Sequence, residues 1–123
     1  MGKFFILPNA MVIPLYNFLQ WIIDVQAIII ERLQDEIESG AELSGPLETS
    51  LEAYYDNCTL LDTIKKEITI LTPVQLGHFG VLFDVWAKLY LLSDAVEYDD
   101  MVIFLSVARK LNQCIDVFQR SNE

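Results

Sequence analysis

Nine of the eighteen acidic residues lie between Glu31 and Asp62, where Arg32 is the only base, so this segment carries a net charge of −8. Carboxylates in such numbers can do two kinds of chemistry: they can hold a divalent cation through oxygen ligands, or meet a basic protein surface. Asp24, Glu31, Asp35, Glu38 and Glu42 recur at three-, four- or seven-residue steps, as do Glu48, Glu52 and Asp56. On helices this spacing draws two acidic stripes. Like charges one turn apart cost a helix about 0.2–0.5 kcal/mol per pair, and a basic partner would offset that cost. The plain alternative is a solvated helix face, the ordinary fate of a charge run. Tyr54 and Tyr55 stand beside the second stripe, about 100° apart on a helix. Tyr54 is read as core, and Tyr55 as a surface aromatic whose rim of Glu52 and Asp56 suits an interface anchor. The expected partner-binding residues are Asp35, Glu38, Glu48, Glu52, Tyr55 and Asp56.

Other constellations are weaker. His78 is the single histidine, and its sequence neighbours at helical spacing include neither a carboxylate nor a second histidine, so it reads as a hydrogen-bonding residue at a helix surface or core edge. Cys58 and Cys114 are far apart in sequence and belong to no metal-binding spacing; both read as buried free thiols. There is no Glu-x-x-His pair for a diiron bundle, no Ca²⁺ loop built around a central glycine and no phosphate loop, because Gly40–Gly45 lacks the lysine that such a loop needs. The chain is therefore expected to be non-catalytic, without metal or cofactor. A carboxylate-dependent divalent-metal nucleotide hydrolase is retained as an alternative on the strength of the acidic stripes alone.

Charge also bears on partners. With a formal net charge of −10 and eight Lys and Arg, direct nucleic-acid binding is disfavoured, since each phosphate contact needs positive charge. Lys65-Lys66 is followed at once by Glu67, and Arg109-Lys110 is an isolated pair. The leading expectation is a small acidic inhibitor of a basic protein or enzyme, of the kind represented by an immunity protein or antitoxin, the target being a toxin or a nucleic-acid-acting enzyme. The second is a helical oligomerisation or regulatory domain, associating through its first or third helix.

The elements that must position these residues follow from apolar spacing. A chain of 123 residues, 53% hydrophobic, can furnish one core, and one domain spanning residues 1–123 is expected. Phe4 to Leu7 is read as a short extended piece ended by Pro8, lying over the core or pairing with another edge. From Pro14, apolar residues at helical steps run to Ser39-Gly40, where Gly40 can supply a left-handed cap. Pro46 opens a second helix with Leu47, Leu51, Tyr54, Cys58, Leu61 and Ile68 on its buried face. Thr72-Pro73-Val74-Gln75 is the signature of a helix start, and the helix to Leu92 is apolar nearly all round, which predicts a central or double-sided element. Gly77 and Gly80 within it suggest close helix packing. Asp99 or Asp100 caps a last helix carrying Met101, Phe104, Leu105, Ala108, Leu111, Ile115 and Phe118. Short connections then predict an all-α, compact antiparallel bundle of about four helices with a short extended N-terminal segment.

Met11 to Ile30 is long enough to cross a bilayer, but Asn17, Gln20, Asp24 and Gln26 interrupt it. An aspartate at mid-helix costs about 2.5–3.5 kcal/mol on insertion, so the segment is assigned to packing rather than to a membrane. Pro8, Asn9 and Pro14 break the apolar run after Lys3, and no small-residue cleavage pattern follows. Cytoplasmic residence is expected.

Overall fold

A computed structural model describes residues 4–64 and 68–121, with side chains through Val117. It is a four-helix bundle with a short strand pair: β1 (Phe5–Ile6), α1 (Asn9–Glu38), α2 (Ser44–Ile64), β2 (Ile70–Leu71), α3 (Pro73–Leu92) and α4 (Tyr98–Ser121). The extended N-terminal piece pairs antiparallel with β2, Phe5 opposite Leu71 and Ile6 opposite Ile70, and Leu7 N–H continues the ladder to the Thr69 carbonyl at 2.9 Å.

The punctuation residues act largely as their chemistry dictates. Gly40 has φ +102° and follows the C-cap of α1. Its N–H donates to the Ile37 carbonyl, and that of Ala41 to the Glu36 carbonyl, both at 3.0 Å. This is the Schellman arrangement, which satisfies the last carbonyls of α1. At the start of α3, Gln75 N–H donates to Thr72 Oγ1 at 3.2 Å and Thr72 N–H to Gln75 Oε1 at 2.9 Å, a complete capping box.

Three boundaries differ from the sequence reading. Helix α1 begins at Asn9, with Pro14 inside it, because Pro8 takes the N-cap position and the Met11 N–H turns back to the Pro8 carbonyl at 2.9 Å. Helix α2 begins at Ser44, two residues before Pro46, and Ile68 lies outside it, exposed; the Lys65-Lys66-Glu67 run lies outside the described residues. Helix α4 begins at Tyr98, so Asp99 and Asp100 occupy its first turn instead of capping it, where their charge still suits the positive end of the helix dipole.

The core is built around Phe18 of α1, whose ring centroid lies 5.6 Å from that of Phe83, 5.2 Å from Tyr90 and 4.7 Å from Phe104. One aromatic cluster thus ties α1 to α3 and α4. By length and composition α1 could cross a membrane, and 39% of its apolar window is buried within the fold: Leu15, Phe18, Leu19 and Ile22 are fully buried, whereas Ile13, Ile28 and Ile29 are exposed.

The burial is unevenly distributed. Every buried residue of α1 lies between Met11 and Ile30, and every buried residue of α2 between Asn57 and Ile64. None of residues 31–56 is buried. The α1–α2 hairpin therefore extends past the core as an arm, held by a half-buried seam of Leu33 and Ile37 from α1 with Leu47, Leu51 and Tyr54 from α2. The chain exposes 8276 Å², against about 6,700 Å² expected for a compact monomer of its mass.

Candidate functional site

The arm concentrates the charge. Residues 31–56 contain eight acidic side chains and Arg32, a net charge of −7, on a structure with no buried residue. Asp35 and Glu38 lie on the α1 limb, and Glu48, Glu52, Tyr55 and Asp56 on the α2 limb; all six are exposed. On the α2 limb Glu48, Glu52 and Tyr55 follow one another at i, i+4 and i+7 and so share a face. At the base of the arm Tyr54 packs half-buried against the core, and its ring meets that of Tyr55 edge-on at 5.7 Å. The Cys58 thiol beside Tyr54 raises its phenol pKa by charge and by a hydrogen bond, with further contributions from burial, Tyr55 and Asp24. The division of the two tyrosines, one inward and one outward, follows the expected rotation.

Asp56 stands apart from its stripe. Rotated towards α3, it lines a groove with Thr59, Leu60, Gln75, His78 and Val81. There a chain of polar side chains crosses three helices. Asn57 Nδ2 donates to Gln26 Oε1 at 2.9 Å, and Asn57 Oδ1 lies 2.8 Å from His78 Nε2. Since the Asn57 amide nitrogen serves Gln26, its oxygen accepts, and the neutral His78 ring carries its proton on Nε2. Burial lowers the His78 pKa below the usual imidazole value, while the charge of Asp56 opposes that shift. Gln26 and Asn57 are buried, and among the described residues no buried side-chain polar atom lacks a partner.

His78, expected as a hydrogen-bonding residue at a helix surface or core edge, lies at the core edge; its partners were missed, because Asn57 and Gln26 are distant in the chain. The available signal was their position: each interrupts the inward-facing apolar steps of its helix. The structure also changes the picture of α3. Its apolar circumference is not enclosed; one side holds Leu76, Phe79, Phe83 and Tyr90 in the core, and the opposite side is open to solvent. Of its two glycines only Gly80 meets a neighbour, an added Cβ falling 3.3 Å from Ile115 Cδ1, whereas Gly77 faces open space.

Among the described residues no three His, Cys, Asp or Glu side chains converge to form a metal-ligand group; helix spacing spreads the carboxylates along the arm. Cys58 and Cys114 are half-buried free thiols, less enclosed than expected. No protein-family model matches the chain, and neither the curated proteins nor the solved structures give a match.

Proposed function

We propose that this protein is a non-catalytic binding module whose acidic arm engages a basic protein surface, acting as an inhibitor in the manner of an immunity protein or antitoxin. The observation that carries the reading is the arm itself: a net charge of −7 on residues 31–56, none of them buried. A projecting helical hairpin can enter a concave site that a rounded surface cannot. Its charge raises the encounter rate with a basic partner, and Tyr55 supplies the amphipathic contact that slows release. The best partner is a basic enzyme or toxin with a cationic substrate channel, nucleic-acid-acting enzymes being the natural case because their channels already accommodate a polyanion. The arm would occupy such a channel by blockade. Two thiols unpaired in the fold suit a reducing compartment such as the cytoplasm.

The test is kinetic. With a basic partner captured by the full chain and verified by direct binding and inhibition, Glu48→Lys combined with Glu52→Lys slows association at low salt, and the difference shrinks at high salt. Tyr55→Ala chiefly accelerates dissociation. Unchanged rates for both variants, with helicity intact, would remove the arm from the interface.

A further inference from the structure

The solvent side of α3 has a composition opposite to that of the arm. Val74, Val81, Val85, Leu89 and Leu92 follow one another at steps of seven, four, four and three residues, and so lie along one line. Their exposures are 81, 59, 57, 54 and 84%. Together they present roughly 600 Å² of apolar side chain, at the upper end of what the largest patch on a soluble monomer offers. The patch sits on a chain of net charge −10, yet the charges of α3 are one acid and one base, Asp84 and Lys88, one turn apart beside the line.

We propose that this face binds a second copy of the same chain, α3 against α3, antiparallel about a two-fold axis at the level of Val85 and Trp86. Three observations commit the face to a second copy. The first is area: a standard interface takes about 800 Å² from each partner, and the stripe alone supplies roughly three quarters of that. The second is charge. Two copies of so acidic a chain repel least through a helix whose own charges cancel, and although Asp56 and Asp116 border the stripe at Val81, this axis sets Asp84 of each copy beside Lys88 of the other. One charge pair is thereby used twice, as an isologous contact requires. The third is Gly77, which costs an exposed helix about 1 kcal/mol relative to alanine and has nothing within 4 Å of its Cβ position. In this register Leu92 of one copy lies opposite the Gly77–Val81 turn of the other, where a missing side chain allows close approach.

The inference does not rest on the arm's proposed role, although Asp56 at the base of the arm borders the stripe at Val74 and Val81. It is tested on the full chain by sedimentation equilibrium across the micromolar range. The wild type is expected as a reversible dimer. Val85→Glu sets two carboxylates against each other at the axis and weakens association by about tenfold or more, with helicity unchanged because the side chain is exposed. Asp84→Lys and Lys88→Asp each weaken association several-fold, and the double variant restores it. That reciprocity belongs to a two-fold contact between identical helices and needs no core substitution. Glu48→Lys with Glu52→Lys in the arm does not dissociate the dimer, so failure of the arm's proposed role leaves this result standing. A chain monomeric throughout the range, a dimer indifferent to Val85→Glu, or charge reversals whose effects accumulate instead of cancelling would each overturn the proposal.

Discussion

The body and the arm are made from the same two helices. Between Met11 and Ile30 on α1, and Asn57 and Ile64 on α2, the hairpin is wedged among α3, α4 and the strand pair. Between residues 31 and 53 the same helices bury no residue, and only at Tyr54 and Asp56 does the arm meet the body. Nothing in helix geometry changes at Ile30; what changes is the supply of neighbours. The body is therefore held by burial, which is insensitive to salt, and the arm by a single apolar seam working against its own charge. A region with little packing to protect can carry repulsion that the core could not, which is why the charge collects there.

The sharpest way to break this comparison is at its centre. Phe18→Ala removes the ring that meets Phe83, Tyr90 and Phe104 and should cost about 3–5 kcal/mol, read as a lowered denaturant midpoint. The same truncation at exposed Tyr55 should leave stability within about 0.5 kcal/mol. Equal losses would mean that the arm is as tightly integrated as the body.

Next in size is the polar crossing where body and arm meet. Asn57→Ala leaves Gln26 and His78 without their shared partner and should destabilise by about 1–3 kcal/mol, with His78→Asn milder because an amide can still donate to Asn57. Urea titration of both variants ranks them, and the reverse order would place the stabilising contact elsewhere.

Acidity gives a smaller effect with a definite sign. The His78 pKa is lowered in the fold, so below about pH 6.5 the unfolded chain takes up a proton that the folded chain resists. Its contribution is complete above that value, declines as pH falls towards the folded-state pKa and is then exhausted. Stability measured between pH 7.5 and about 5 should fall with a component that His78→Asn abolishes; an unchanged slope in that variant would exclude His78 as its source.

The smallest expected change has the opposite sign. Glu52→Lys converts two like-charge steps, Glu48–Glu52 and Glu52–Asp56, into attractive ones and should stabilise the fold by a few tenths of a kcal/mol per step, most visibly at low salt. A thermal melt at two ionic strengths reads it. A gain in stability together with a slower on-rate for a basic partner would be the pattern of a charge retained for binding; a loss would show that Glu52 supports the arm.

Much of this was legible in the sequence. Apolar spacing, Gly40 and the Thr72–Gln75 capping box set four helices and their breaks, because caps and periodicity are local and depend on residues within a turn or two of each other. The opposite fates of Tyr54 and Tyr55 were equally local and were read correctly, whereas the acidic stripes were read too long: Glu42 falls in the connection between α1 and α2, and Asp56 turns towards α3. The premature end of α2 before Ile68 was not, since the strand pair that claims the next residues is formed with β1, more than sixty residues away in the chain. Only the tertiary structure decided that the charged half of the hairpin projects from the core, that His78 meets Asn57 and Gln26, and that one side of the uniformly apolar α3 stays open. Each of these depends on which neighbours a surface acquires, and a helix's own sequence specifies the surface without specifying what will cover it.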